Sequence, residues 1–160
     1  MQNKANLEHL LREMYEAMSE LSLILDKEHE ALVAQDVDLL QQAAVKKELL
    51  SEKIEQLESV RTDMLKARGL LNDLPSIKQL ITQSSGHNEN ALLKIWNMVA
   101  ELAQESTAKN KMNGIIIEAK RRQTHAALSV LQGQQPDESE LYDAGGAKVQ
   151  NYKNSTIARA

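Results

Sequence analysis

The sequence predicts an all-α fold: a long antiparallel helical hairpin plus a third long helix in a coiled-coil-like bundle, with one short connecting helix and a flexible C-terminal tail. Three observations predict it. Aromatic residues make up 2% of the chain, with one Trp, three Tyr and no Phe, too few for sheets or cores that lean on aromatic packing. Only six Gly and two Pro are present, which leaves few turns and favours long elements. Apolar residues, 42% of the chain, recur at alternating steps of four and three, the heptad spacing that keeps one stripe of a helix turned toward a partner. We expect one bundle domain over 1–132 and a tail over 133–160.

The first helix is expected over about 6–35. Its seam reads Leu7, Leu11, Met14, Met18, Leu21, Leu25, Glu28 and Leu32, with one polar residue in eight. Glu8, Arg12, Glu13, Glu16, Glu20 and Lys27 fall off the seam, as solvent-facing positions should. Asp36-Val37-Asp38 breaks the pattern, and aspartate both accepts hydrogen bonds from the free N–H groups of a new helix and is favoured there by its dipole. A second helix follows over about 37–68, with Leu40, Ala43, Lys47, Leu50, Ile54, Leu57, Arg61 and Met64 as its seam. The stems of Lys47 and Arg61 are expected to cover apolar surface while their charged heads stay wet. Two helices of roughly 30 residues, about 45 Å each, must run antiparallel when so short a connection joins them.

Gly69 is placed to end the second helix as its C′ residue. Leu70 to Pro75 reads as a connection, because the residue before Pro75 is biased out of the helical region. Ser76 is expected to cap a short helix over about 76–83 that carries Ile77, Leu80 and Ile81, and Ser84 to Asn90 reads as a loop. The third long helix is expected over about 88–131, with Leu92, Trp96, Val99, Ala103, Ser106, Asn110, Asn113, Ile117, Lys120, Thr124, Ala127 and Leu131 as its seam. Its polar positions cluster between Ser106 and Asn113. Gly114, in mid-helix, costs on the order of 1 kcal/mol relative to Ala, which asks for a reason such as close approach of another backbone or a hinge. The tail has no periodicity and should be mobile on its own.

Several function classes are excluded by what is missing. The formal net charge is −4 and the pI about 5.6, so there is no global attraction to polyphosphate. Lys120-Arg121-Arg122, with Lys109 and Lys111 upstream, is the best candidate for a local basic patch, but adjacent residues on a helix point in different directions. We expect no nucleic-acid partner. Cysteine is absent, which removes disulfides, thiolate nucleophiles and Cys-based metal sites. The first residues lack a secretory signal and no apolar run is long enough to span a membrane, so a soluble cytoplasmic chain without membrane insertion is expected. The nearest approach to a carboxylate metal motif, Asp26-x-x-His29, has no counterpart on another helix. No phosphate loop, nucleophile elbow or zincin helix occurs. No enzymatic activity, metal or cofactor is expected.

Four features remain as candidates for binding. Trp96 lies on an apolar face, where core packing is the ordinary role. Asn110, Asn113 and Gly114 either set helix register, as a seam asparagine does, or serve a partner. Ile115, Ile116 and Ile117 cannot share one stripe, since successive residues turn by about 100°, and the surplus is where a partner helix can dock. Tyr142, beside Leu141 in an acidic tail, suits a short linear contact.

The pattern Glu30-Ala31-Leu32, Asp36, Leu39-Leu40, Lys46-Lys47, Leu49-Leu50, Leu57, Arg61 resembles the N-terminal half of the FlgN-type flagellar export chaperones. The block Asn110-Lys111-Met112-Asn113-Gly114, followed by Ile116-Ile117-Glu118, Ala127-Leu128 and Val130-Leu131, is similar to the family's most recognisable stretch. Leu141-Tyr142-Asp143-Ala144-Gly145-Gly146 resembles the Tyr-and-Gly segment that follows it. The resemblance implies a cytoplasmic chaperone that binds the C-terminal amphipathic helix of hook-associated (hook–filament junction) proteins, prevents premature assembly and delivers them to the type III export gate. It implies Asn110, Asn113, Gly114, Ile116, Ile117, Leu128 and Leu131 as cargo-binding residues. Tyr142 would dock at the export-gate and ATPase-complex components, with neither nucleotide nor metal held by the chaperone itself. The alternative is a structural or adaptor coiled coil with no secretion cargo.

Overall fold

The computed structural model describes residues 2–85 and 89–133. They form α1 (Gln2–Ala34), α2 (Val37–Lys66), α3 (Leu74–Ser85) and α4 (Glu89–Leu131), the all-α class and element order expected. Two compact units are present, the first ending at Glu118 and the second beginning at Ala119. The tail expected over 133–160 lies outside the described residues from 134 onward, as do positions 86–88, and the rest of the expected loop from Ser84 to Asn90 is helical, in α3 to Ser85 and in α4 from Glu89. Among the described residues no helix is long and apolar enough to cross a membrane.

The hairpin turn is two residues long. Gln35 takes a left-handed φ of 57°, which lets the Asp36 N–H reach back to the Ala31 carbonyl at 3.0 Å and close α1. Asp36 then starts α2 by accepting the Leu39 N–H on its Oδ1 at 3.0 Å, satisfying one of the new helix's orphan donors. At the far end Gly69 has φ 66°, and the Leu70 N–H to Leu65 O and Gly69 N–H to Lys66 O bonds form a Schellman motif. The helix itself ends at Lys66, two residues short of the expected 68, and the turn to Gly69 leads the chain out of it.

The connecting helix begins earlier than the proline rule suggests. α3 starts at Leu74, with Pro75 in its first turn, where an N–H would have no intrahelical partner in any case. Asp73, not Ser76, is the cap: its Oδ1 accepts the Ser76 N–H at 2.8 Å. The hydrogen bonds from Ser76 hold the Asp73 carboxyl below the usual aspartate range.

Packing follows the first two predicted seams and widens one of them, while the third is exposed at Asn110, Ile117, Thr124, Ala127 and Leu131. The main core joins Leu7, Leu11, Met14 and Met18 of α1 to Leu57 and Leu65 of α2, to Ile77, Leu80 and Ile81 of α3, and to Leu92, Trp96 and Val99 of α4. A second row on α1, Leu10, Ala17, Ile24 and Ala31, spaced seven apart, is also buried, because α1 has neighbours on more than one side. Arg61 departs from expectation: its side chain is 12% exposed, and the guanidinium lies 5.4 Å from the Trp96 ring centroid, a cation–π stacking. Its head is not wet.

Within the first unit α4 runs parallel to α1. Ser22 meets Glu105, Asp26 meets Lys109 and His29 meets Asn113, at separations of 83, 83 and 84 residues. The bundle is therefore up, down, up, with α3 packed against the start of α1.

Candidate functional site

Midway along α4 the seam turns polar, and each polar residue meets α1 or α2. Asn113 is 1% exposed. Its Nδ2 donates to the Leu25 carbonyl and to Glu28 Oε2, both at 2.9 Å. With both amide protons committed, Oδ1 is left as an acceptor 3.1 Å from His29 Nδ1, which carries the proton in this pairing. Glu28, 2% exposed, accepts through its other oxygen from Lys47 Nζ of α2 at 2.5 Å. Lys47 Nζ also lies 3.4 Å from Asn110 Oδ1. A buried carboxylate is tolerable only when paired and hydrogen-bonded, and Glu28 is both. The one polar residue of the first seam thus ties all three long helices together, and the head of Lys47 is bound rather than wet.

A second cluster lies toward the start of α4. Lys109 Nζ donates to Glu105 Oε1 at 2.6 Å and to Asp26 Oδ2 and Ser22 Oγ at 2.8 Å each. The hydrogen bond and charge of Lys109, with a further hydrogen bond from Ser22, hold the Glu105 carboxyl below the usual glutamate range. The hydrogen bonds to Asp26 and Glu105 raise Lys109 above the ordinary lysine value. Ser106, 5% exposed, has an Oγ with no partner among the described residues, and it borders a groove of about 300 Å³ floored by Met18, Leu21 and Leu25.

Around Asn113 the surface gains apolar side chains, before the mostly exposed polar stretch from Glu118 to His125. Met112 and Ile115 are each 54% exposed and Ile117 39%, while Ile116 is half-buried. At Gly114 no atom lies within 4 Å of where a Cβ would stand, so close approach of a neighbouring backbone within this chain is not what keeps a glycine there. In the second unit Leu128, Val130 and Leu131 are exposed, Leu131 most of all at 82%.

Of the residues singled out from sequence, then, Asn113 is sealed against α1, Ile116 is half-buried, and Asn110, Gly114, Ile117, Leu128 and Leu131 face solvent. Tyr142 lies outside the described residues. Sequence reasoning missed Asp26, Ser22 and Lys109 as a cluster and Glu28 as the partner of Asn113. One signal was available: Glu28 and Asn113 are polar residues on the seams of two helices, and a buried polar group needs another to satisfy it. The His29 ring meets Asn113.

Compared with known families, the model of a family described as FlgN protein aligns with residues 1–150. No curated protein and no solved structure gives a significant match.

Proposed function

The chain belongs to the FlgN family of flagellar export chaperones, and on that premise we propose that it escorts hook-associated flagellar proteins in the cytoplasm. It does so by holding the cargo's C-terminal amphipathic helix against the latter part of α4. The observation that carries this reading is the change along the α4 seam. Leu92, Trp96, Val99, Ser106 and Asn113 are buried, whereas Ile117, Leu128 and Leu131 leave 39%, 50% and 82% of their surface in water. Each Leu or Ile buried against a partner contributes roughly 1.5–3 kcal/mol before ordering costs. A few such contacts suffice for micromolar binding that still permits release.

Within this reading Ile116, Ile117, Leu128 and Leu131 supply the apolar contact. Gly114, with open space in place of a Cβ, lets the cargo backbone come close. Asn110 and Asn113 hold α4 in register against the hairpin rather than touch cargo first. Tyr142 serves docking at the export gate, where the secretion machinery supplies the energy.

The test is calorimetric titration of the full chain with a peptide carrying the C-terminal helix of its hook-associated protein. Ile117→Asp should weaken affinity by about tenfold or more, the cost of placing a carboxylate in an apolar contact. Unchanged affinity would reject this surface. In the same assay Tyr142→Ala should bind normally while lowering secretion of the cargo from cells, and a fall in affinity would merge the two surfaces into one.

A further inference from the structure

The side of α1 turned away from α4 carries a second opening. Ser22, Leu25, Asp26 and His29 meet α4, and Ile24, Lys27, Ala31 and Ala34 lie roughly opposite on the helix at about 100° per residue. Between α1 and α2 these residues bound a groove of about 510 Å³ close to the hairpin turn. Its floor is closed by Ile24 and Ala43, 4% and 5% exposed, and alanine at 31, 34 and 43 gives it depth. Leu39 lines one wall at 52% exposed. Leu23, one turn before Lys27, and Leu49, one turn after Lys46, are 60% and 62% exposed. Apolar surface therefore extends beyond the groove on both helices.

The charge of the lining is opposite to that of the chain. Lys27 and Lys46 line the groove and form no ion pair among the described residues, against the single acid Glu30. The whole chain carries a formal charge of −4.

The geometry points to a docking groove for an amphipathic helix of a partner protein, one that seats Leu or Ile side chains between α1 and α2 and sets acidic side chains on Lys27 and Lys46. This surface is separate from the α4 surface proposed above and does not rest on it. From Ile24 to Ala34 the lining runs about 15 Å, enough for about three anchors at the i, i+3 or i+4, and i+7 spacing by which a helix reads a groove. A small polar ligand would need convergent hydrogen-bonding groups, and the lining offers solvated lysine heads over alanine instead. A second copy of the chain meeting this face about a two-fold axis would bring the same basic rims together, between molecules that already repel.

The probe is a synthetic amphipathic helix of ~18 residues with leucines at that spacing and flanking glutamates, alongside a twin with lysines in place of the glutamates. By fluorescence anisotropy the full chain should bind the acidic helix about tenfold more tightly than the basic one. Lys27→Glu with Lys46→Glu should reverse that order. Ala34→Trp, at an exposed position, should fill the groove and abolish binding of the acidic helix with no change in helix content by circular dichroism. All of these comparisons are made in the Ile117→Asp background, in which the α4 surface is disabled, so that they read the groove alone. Equal binding of the two helices, binding insensitive to Ala34→Trp, or an unreversed order in the charge-swapped variant overturns the proposal. So does a concentration-dependent dimer in sedimentation that Ala34→Trp dissolves, since that assigns the groove to a second copy.

Discussion

The first unit is held together in two different ways along its length. Near the start of α1 the contact with α4 is hydrocarbon: Leu7, Leu11 and Met14 against Leu92, Trp96 and Val99. From Ser22 onward it is polar: Ser22, Asp26, Glu28 and His29 against Glu105, Lys109 and Asn113. Burial of apolar surface is strong but non-directional, so the lower half supplies stability and would tolerate a shifted helix. Hydrogen bonds to a buried carboxylate are weak in net terms but directional, so the upper half contributes little stability and fixes which residue of α4 faces which residue of α1. The comparison teaches that the part of α4 next to the exposed isoleucines is positioned by polar pairing, not by grease.

Four variants and one titration would break or sharpen that contrast. Trp96→Ala should have the largest effect, a loss of about 3–5 kcal/mol in urea unfolding; a loss under ~1 kcal/mol would mean the lower half is not the main source of stability. Glu28→Gln should cost less, about 1–3 kcal/mol, by leaving Lys47 unneutralised. Combined Glu28→Leu, Lys47→Met and Asn113→Leu should be neutral or even stabilising. The same triple variant should broaden the distance distribution between spin labels at Glu20 and Glu101. A sharp distribution would show that register does not come from the polar layer. Gly114→Ala should raise stability by about 0.5–1 kcal/mol, since a Cβ there meets nothing within 4 Å, and a lowered melting temperature would show that the helix is irregular at that point.

The smallest effect is pH dependence. Glu105 has a folded pKa below its ordinary value, so its contribution is present above the usual glutamate range and fades as pH falls through the lowered one. Lys109 has a raised pKa, so its contribution is complete below the ordinary lysine value and is lost only at strongly alkaline pH. The Ser22–Asp26–Glu105–Lys109 cluster is thus intact at neutral pH. Glu105→Gln should flatten the acid limb of stability measured by thermal melts from neutral pH downward, and an unchanged limb would assign it to other carboxylates.

The first two seams were legible because heptad spacing is a property of one helix at a time, whereas the third is exposed at Asn110, Ile117, Thr124, Ala127 and Leu131. Leu7 through Leu32 is buried or half-buried at every position predicted, and the second seam from Leu40 to Met64 likewise. Which seam faces which was not legible, because parallel pairing at a separation of 84 residues depends on all the helices at once. For the same reason Lys47 and Arg61 were read as solvated, when their partners, Glu28 and Trp96, lie 19 and 35 positions away in sequence. The short helix was misjudged locally: the bias against helix before a proline gave way to the cap supplied by Asp73. At the candidate site, the apolar surplus after Gly114 was legible from composition. The burial of Asn113 was not, since a seam asparagine reads equally as register or as recognition.

The parallel pairing of α1 with α4 also sets an order of events during synthesis. The hairpin can close as soon as Lys47 reaches Glu28, a separation of 19 residues, but the pairings with α4 span 83–88 and carry a higher loop-closure cost. On the ribosome, the stripe Leu11, Met14 and Met18 therefore stands open until residues out to Val99 have emerged. A nascent molecule of this protein thus carries a helix face that α2 and α3 cover only in part, and its own fourth helix completes the seal.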